Sequence, residues 1–295
     1  MKKIILALTA MLCSLLSFSC ATASYVKGLR PAVVSVSDAI HKESRFKGVE
    51  ETSLFEQSWQ PLKGKSKAVL IIVHGLKDHS DRYADVARKL SQNYYAIYSY
   101  DLRGHGDSEG RRVWTDSFDQ YVSDLEIFYD LVKKAEPNKP IYLFGHSMGG
   151  AIVTTFALKK SRPVAGMLLS APALKVGEDI SGFLIGTTKV LGSIFPTMAV
   201  LQLDDKAFSR DPKVVNSIKE DPLVYHGKGP ARTAKELLKA IATIQEKMSD
   251  VDVPFITLHG DKDVLTNPQG SRELFQKQRL LIKHLNYIPV FTMTC

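Results

Sequence analysis

Cysteine is scarce in this chain of 295 residues. Its three cysteines are Cys13, Cys20 and Cys295, so the long stretch between the second and the third contains none. The body of the chain can therefore form neither a disulfide framework nor a cysteine-rich metal site. Internal repeats and low-complexity tracts are missing as well, which argues against collagen-like, coiled-coil and disordered classes.

Long hydrophobic runs and blocks of like charge are also missing. After the N-terminal stretch, no segment is apolar over the length that a membrane-spanning helix needs. The net charge of +8 is spread along the chain, which argues against nucleic-acid binding. With 44% hydrophobic and 24% charged residues, the composition is that of a globular protein with one domain plus an insertion, or with two small domains.

The N-terminus has the pattern of a secretory signal over residues 1–20. Lys2 and Lys3 precede an apolar stretch over residues 4–16, which is the length of a signal core. Two cleavage patterns compete: Ala21-Thr22-Ala23 suits ordinary signal peptidase, and Ser17-Phe18-Ser19-Cys20 resembles a bacterial lipobox without its usual aliphatic residue. An uncleaved anchor is the third alternative. We expect an exported protein that is periplasmic, attached to a membrane as a lipoprotein, or secreted.

The body of the chain alternates short apolar runs with helical segments. After a linker over residues 21–45, a hairpin is predicted around residues 46–60. Buried strands are predicted at 68–73, 96–100, 141–144, 166–170 and 255–259, and helices at 82–92, 118–135 and 149–160. This alternation predicts an α/β fold with a mostly parallel, doubly wound sheet over residues 46–277.

The alternation lapses between about residues 172 and 238. Apolar residues recur there at helical spacing from Ile180 to Phe195, and a polar, proline-punctuated stretch follows over residues 209–229. We interpret this segment as an inserted helical cap. Such a cap would cover the carboxyl ends of the strands, where sheets of this kind bind their ligands.

Gly145-His146-Ser147-Met148-Gly149 matches G-x-S-x-G between a predicted strand and a predicted helix. In that context the motif marks a sharp turn that lifts a nucleophilic serine above the sheet, at the positive end of the helix. Ser147 is therefore the candidate nucleophile, rather than a serine that only caps a helix. The peptide N–H of Met148 is the first candidate donor to an oxyanion.

The loop after the first buried strand offers a second oxyanion donor. It reads His74-Gly75-Leu76-Lys77-Asp78-His79, and the Leu76 N–H is the candidate. A zinc site at the two histidines is not expected, because no H-E-x-x-H helix and no third clustered ligand accompany them. We expect these histidines to hold the loop through local hydrogen bonds.

An acid that could orient a catalytic histidine follows the last predicted strand. The turn Gly260-Asp261-Lys262-Asp263 comes directly after residues 255–259. Considered alone, Asp261 or Asp263 could be this acid, and either could equally be an ordinary turn aspartate.

Six motifs in order give the chain a family resemblance over about residues 46–275. They are H-G-L-K-D-H-S-D-R-Y from His74, D-L-R-G-H-G-D-S-E-G from Asp101, G-H-S-M-G-G from Gly145, S-R-D-P from Ser209, D-P-L-V-Y-H-G from Asp221 and P-F-I-T-L-H-G-D-K-D from Pro254. Together they resemble the monoacylglycerol lipase and lysophospholipase branch of the α/β-hydrolases, also described as serine aminopeptidase S33 or Hydrolase_4.

The resemblance implies a serine hydrolase that needs neither a cofactor nor a metal. It implies Ser147 as nucleophile, Asp263 as the triad acid, Leu76 and Met148 as oxyanion donors, and residues 103–106 as a structural loop. The implied substrate is a single-chain lipid ester, a monoacylglycerol or lysophospholipid, met at a membrane or micelle surface. Residues 180–195 would then line an acyl-chain entrance or pack against the body of the enzyme. A peptidase or another esterase of the same fold is the alternative within enzymes.

The catalytic histidine of that family is missing from this chain. The family places it about thirty residues beyond the acid, in a segment resembling L-K-L-Y-x-G-x-Y-H-x-L. Here the only histidine after Asp263 is His284, and the tail over residues 278–295 is atypical. We expect the C-terminal strand and helix of the fold to be lost or altered, and this form to be close to inactive or a non-catalytic pseudoenzyme.

A shifted reading frame accounts for the atypical tail. Reading each codon from the third base of one residue to the second base of the next permits A-T-S-S-D-K-T-F-K-L-Y-P-G-F-Y-H-D-L after Lys277. Most of these are choices among synonymous codons, but Asn286-Tyr287 must give Leu and Met293-Thr294 must give Asp. The histidine falls across Thr292 and Met293. We therefore predict a frameshift near Lys277, natural or from sequencing; the alternative is a divergent terminus.

Overall fold

The structure is a computed structural model that describes residues 39–177, 182–203, 208–278 and 283–288. For residues 182–185, 189 and 283–288 it describes the backbone alone. The predicted signal and most of the predicted linker lie outside these ranges. Within them, no helix is both long enough and apolar enough to cross a membrane.

Strands and helices alternate along most of the chain. The strands are β1 (Ala39–Lys47), β2 (Ser53–Pro61), β3 (Ala68–Val73), β4 (Tyr95–Tyr100), β5 (Ile141–His146), β6 (Gly166–Ser170), β7 (Ala199–Leu201), β8 (Gly229–Pro230), β9 (Phe255–Gly260) and β10 (Lys283–Ile288). The helices are α1 (Ala84–Gln92), α2 (Phe118–Ala135), α3 (Met148–Lys159), α4 (Gly182–Ile194), α5 (Pro212–Glu220), α6 (Ala231–Lys247) and α7 (Pro268–Lys277).

Eight of these strands form one sheet in the order β1-β2-β4-β3-β5-β6-β9-β10. β1 pairs antiparallel with β2, and β2 antiparallel with β4, while all the other neighbours are parallel. The carboxyl ends of the parallel strands therefore lie along one edge of the sheet. The predicted mostly parallel α/β fold is confirmed.

Burial on both faces explains why the central strands are continuous apolar runs. Every residue of β3 is buried, and its side chains alternate between two cores. Val69, Ile71 and Val73 join the larger core, which α2 and α3 also supply. Leu70 and Ile72 join a smaller one together with Ala87 of α1. Helices thus cover both faces of the sheet, as a parallel sheet requires.

The first strand begins earlier than the sequence predicts. β1 starts at Ala39, inside the predicted linker, and its hairpin partner β2 ends at Pro61. Of the nine residues of β1, only Phe46 is buried. An edge strand of this kind has no apolar run, because its position is fixed by main-chain pairing with β2 rather than by side-chain burial.

The segment predicted as a cap contains helices. It holds α4, the short pair β7 and β8, α5 and the first part of α6, whose later residues Ala240, Ile241 and Ile244 pack in the larger core. Ile180 and the side chain of Leu184 lie outside the described residues. Leu191 is half-buried, whereas Ile194 is 63% exposed and Phe195 is 53% exposed. The end of α4 therefore presents apolar side chains to solvent.

The terminal strand, which we expected to be lost or altered, is present. β10 is built from the atypical tail and pairs in parallel with β9, from Lys283 opposite Phe255 to Ile288 opposite Gly260. The structure therefore does not show the loss of this strand. Main-chain hydrogen bonds need no particular side chains, so this stretch can occupy the edge of β9. The predicted loss of the final helix concerns residues outside the described ranges.

Candidate active site

Ser147 occupies a strained turn between β5 and α3. Its backbone has φ 52° and ψ −119° and immediately precedes Met148, the first residue of α3. The Ser147 N–H donates to the Ser170 carbonyl at 3.0 Å, and the Ser147 carbonyl accepts from Gly150 N–H and Ala173 N–H, both at 2.9 Å. A positive φ costs a residue other than glycine free energy, and these hydrogen bonds hold the turn in place.

Glycines allow the turn to approach its neighbours. A Cβ on Gly145 would lie 2.6 Å from the Gly149 carbonyl oxygen. A Cβ on Gly149 would lie 2.5 Å from the His74 carbonyl oxygen and closer still to that of Val73. Side chains at either position would force strand and helix apart, so the turn needs glycine on both sides of the serine.

The loop after β3 lies against the serine. A Cβ on Gly75 would stand 3.2 Å from the Ser147 Cβ, and Leu76 and Met148 are both buried. His74 shapes this loop, since its Nδ1–H donates to the Gly75 carbonyl at 2.7 Å while its Nε2 accepts from Leu102 N–H at 2.9 Å. Burial lowers the pKa of His74 to about 3, so the imidazole is neutral, as these two bonds require.

Asp263 and Asp261 have different environments. Asp263 is buried, and Asp261 is exposed. Asp263 Oδ1 accepts from Leu265 N–H at 2.8 Å and from Thr266 N–H at 2.9 Å, while Oδ2 accepts from the Thr266 hydroxyl at 2.8 Å. Burial raises the pKa of this carboxyl, but hydrogen bonds from His259 and Thr266 outweigh it and hold the pKa below its ordinary value.

His259 is a neighbour of Asp263 that the sequence analysis missed. Its Nε2 lies 3.5 Å from Asp263 Oδ2, and its Nδ1 lies 2.7 Å from the Ser271 hydroxyl. The ring is fully buried. The alternation of β9, in which Phe255, Thr257 and His259 are buried, could have indicated that this histidine faces inward, although not what it contacts.

The two histidines of the β3 loop differ in their partners. His74 bonds its neighbour Gly75, as expected, and also Leu102, which lies 28 residues away. His79 instead donates through Nε2 to Asp221 Oδ2 at 2.8 Å, across 142 residues of sequence.

The 103–106 loop is structural, as expected, because Arg103 forms a buried ion pair with Asp124 of α2 at 2.7 Å. Within the described part of the chain, no group of three or more potential ligands is arranged to hold a metal.

Ser147 and Asp263 lie along the same edge of the sheet. Ser147 follows the last residue of β5, Asp263 comes three residues after the last residue of β9, and β6 separates those two strands. The strand axes are therefore about 10 Å apart, at two strand spacings. His284 lies elsewhere: it pairs opposite Ile256, about 13 Å before the carboxyl end of β10 at 3.3 Å per residue.

Known proteins resemble the chain over most of its length. The family described as Hydrolase_4, serine aminopeptidase S33, matches residues 64–292. A monoacylglycerol lipase of Mycolicibacterium smegmatis is 34% identical over 84% of this chain and 88% of its own length. The monoglyceride lipase of Mus musculus is 32% identical over 77% and 75%. The crystal structure of Paleococcus ferrophilus monoacylglycerol lipase matches with a TM-score of 0.71 at 27% identity, over 81% of this chain and 89% of that one.

These matches agree with the mostly parallel sheet and its flanking helices. They indicate a hydrolase of the monoacylglycerol lipase type. The chain belongs to the Hydrolase_4, or serine aminopeptidase S33, family of the α/β-hydrolases.

Proposed function

We propose that this chain is built to hydrolyse the ester of a monoacylglycerol or lysophospholipid through a covalent acyl-enzyme. The observation that carries the proposal is the turn at Ser147, whose strained backbone lies against the Gly75 loop. Such strain is kept where it presents a side chain for chemistry. The monoacylglycerol lipases similar to this chain support the substrate class.

The reaction uses groups from four segments. Ser147 Oγ attacks the ester carbonyl carbon and gives its proton to a histidine, and the amides of Leu76 and Met148 stabilise the oxyanion. The histidine then protonates the leaving alcohol as its C–O bond breaks. Water then attacks the acyl carbonyl carbon and gives a proton to the histidine, which protonates Ser147 Oγ as the acyl C–O bond breaks and the fatty acid leaves. Asp263, ionised at neutral pH, orients the histidine and stabilises its charged form.

The histidine of this reaction has no counterpart at the family's spacing in the given sequence, where His284 is the only histidine after Asp263. We propose that the histidine of this reaction belongs to the shifted frame, across Thr292 and Met293. Those residues follow the end of β10 at Ile288 by four and five positions, so a histidine there would come just after the carboxyl edge that Ser147 and Asp263 share. Resequencing the 3′ end of the gene tests this directly. An in-frame read ending at Cys295, without homologous codons downstream, would contradict the frameshift.

The lipid substrate and the leader suggest where the protein acts. We propose that it is exported by its N-terminal signal, with lipoprotein attachment, periplasmic release and secretion as the alternatives. We further propose that it takes its substrate from a membrane or micelle surface. The exposed Ile194 and Phe195 at the end of α4 support this, since apolar side chains at the rim of a cap favour contact with lipid.

Imidazole in solution can test the proposal on the chain as it stands. If only the base is missing, free imidazole with the protein should hydrolyse p-nitrophenyl butyrate faster than free imidazole does without the protein. Ser147→Ala should abolish the gain, and Asp263→Asn should reduce it at least about tenfold, because the carboxylate orients the ring. Asp261→Asn, the matched control, should not change it. A panel of monoacylglycerols, lysophospholipids and aminoacyl-anilides then separates lipase from peptidase.

A non-catalytic lipid-binding protein is the second candidate, favoured by the absence of the family's histidine from its expected place in the sequence. A folded chain that binds monoacylglycerol, but whose imidazole-dependent turnover is the same with and without Ser147, would support it and overturn the hydrolase proposal.

A further inference from the structure

The loop that carries the Leu76 amide is attached to the body of the protein at both ends. At its start, the His74 ring bonds Gly75 and Leu102. At its end, the N–H and the hydroxyl of Ser80 both donate to Asp101 Oδ1, at 2.7 and 2.6 Å. Between these attachments the chain passes through Lys77, whose φ of 66° is left-handed. This conformation is unfavourable for lysine and needs support from elsewhere.

That support comes from the segment Asp221–Gly227, which follows α5. The Lys77 carbonyl accepts from Tyr225 N–H at 3.1 Å, and the Lys77 ammonium donates to the Gly227 carbonyl at 2.7 Å. His79, two residues further along the loop, donates to Asp221 at 2.8 Å. The contacts hold both the main chain and the side chains of the loop.

The segment is itself ordered by Asp221. Asp221 Oδ1 accepts from Leu223 N–H at 2.9 Å while Oδ2 binds His79. The Leu223 carbonyl accepts from Arg112 at 3.1 Å. One carboxylate thus shapes the segment with one oxygen and joins it to the loop with the other.

We propose that Asp221–Gly227 clamps the loop that carries the Leu76 amide, and that Asp221 is a positioning residue for this amide. The inference rests on the proposed function, because it assigns the clamp a role at the oxyanion. An oxyanion donor works only if it is held in place before the reaction. Asp221–Gly227, which lies within the predicted cap, and the loop that carries Leu76 therefore hold each other in place. Local sequence motifs do not indicate this connection.

Asp221→Asn in the full chain tests the clamp with little change of shape. The amide oxygen can still accept from Leu223, but the charge opposite His79 is removed. Asp130→Asn is the matched control, because Asp130 pairs with Arg162 on the exposed surface. Lys77→Met is a second variant that removes the ammonium, which donates to the Gly227 carbonyl and lies 5.9 Å from the centre of the Tyr225 ring. Circular dichroism verifies that each variant folds.

Two measurements separate a positioning role from a merely structural one. Hydrogen exchange of peptides covering residues 74–80 should become faster in Asp221→Asn and Lys77→Met, and should not change in Asp130→Asn. In imidazole-supported hydrolysis, Asp221→Asn should lower kcat about tenfold with little change in KM, because loss of a whole donor costs on the order of 10² to 10³.

The outcomes distinguish the two proposals. If the parent shows no Ser147-dependent turnover, the proposed function fails, and the exchange data still decide whether the clamp exists. If exchange in residues 74–80 is unchanged in both variants, the clamp is wrong. If exchange is faster but kcat is unchanged, or if KM alone rises, Asp221 does not position the oxyanion donor.

Discussion

At the scale of single residues, the candidate site depends on Gly149, a position where there is no room for a side chain. Gly149 packs its Cα against the end of β3, and a Cβ there would lie far too close to the Val73 and His74 carbonyl oxygens. Those carbonyls belong to the end of β3 and to the start of the loop that carries Leu76, so neither can move without displacing the candidate site. Gly186 in α4 has no such constraint, because nothing lies within 4 Å of a Cβ built there.

Gly149→Ala is therefore predicted to destabilise the protein by about 3 kcal/mol or more, as overpacking against backbone does. Gly186→Ala is the matched control, because nothing lies within 4 Å of a Cβ there. It lies within α4, where alanine should stabilise by about 0.5 to 1 kcal/mol. Urea unfolding measures both changes. Equal effects would mean that the close approach at Gly149 is not tight.

The pairing of His79 with Asp221 makes stability depend on pH. Burial lowers the pKa of His79, but the carboxylates of Asp221, Asp101 and Asp78 outweigh it and raise the pKa above 6.5. Burial raises the pKa of Asp221, but His79 outweighs it and lowers the pKa below 3.8. The His79 contribution is complete below pH 6.5 and is lost as pH rises through the raised pKa, whereas that of Asp221 is lost as pH falls through the lowered one.

The free energy of unfolding lost in Asp221→Asn should therefore be greatest between about pH 4 and 6.5, at about 2 kcal/mol for a hydrogen bond between charged groups. It should shrink toward pH 9 as His79 loses its proton in the parent. Urea unfolding at pH 5.5, 7 and 9 measures this. A loss that is the same at all three values would show that charge does not strengthen the contact.

At the scale of elements, the sequence predicts those strands and helices whose buried residues follow a regular apolar pattern. The apolar runs at 68–73 and 166–170 are β3 and β6, and residues 118–135 are α2, because each of these elements has a strong local pattern of buried residues. β1 carries no such pattern, since its position depends on pairing with β2. Ser147 is recognisable because glycines must flank it. The contact of His79 with Asp221 joins residues 142 apart, and neither motif specifies its partner.

The outer face of β9 is less well covered than that of the central strands. Phe255, Thr257 and His259 point inward, whereas Ile256 is 39% exposed and Leu258 is 38% exposed. Parallel strands are ordinarily covered on both faces. Two outward apolar side chains on the same face of one strand form an apolar surface through which copies of the chain can associate.

Replacing Ile256 and Leu258 together by Thr should reduce self-association, because threonine keeps the strand preference and removes apolar area. Light scattering over a concentration series measures the change, and urea unfolding should show a change of less than about 1 kcal/mol at exposed positions. Ile40→Thr is the control, since Ile40 is exposed on the opposite edge of the sheet. If the double variant self-associates as strongly as the parent, the surface that mediates self-association lies elsewhere on the protein.

At the scale of the whole molecule, the sheet brings together parts of the site that are far apart in sequence. Leu76 follows β3, Ser147 follows β5 and Asp263 follows β9, and these strands lie near one another in the order β3-β5-β6-β9. The next place in that order belongs to β10, so a histidine just beyond it would be the fourth group at the same edge. Under the proposed function, a histidine at that place would complete the catalytic group of Ser147 and Asp263.

Restoring the reading frame after Lys277 is predicted to raise p-nitrophenyl butyrate hydrolysis at least about 10³-fold over the chain ending at Cys295, because loss of a triad base costs on the order of 10⁶ and leaves only binding and the oxyanion amides. Both forms are expressed in parallel, each with Ser147→Ala as its background. In the chain ending at Cys295, His284→Ala should change nothing, because His284 lies opposite Ile256, well before the carboxyl edge. If both forms were equally active and that activity disappeared on His284→Ala, His284 would be the base and the functional argument from the shifted frame would be wrong.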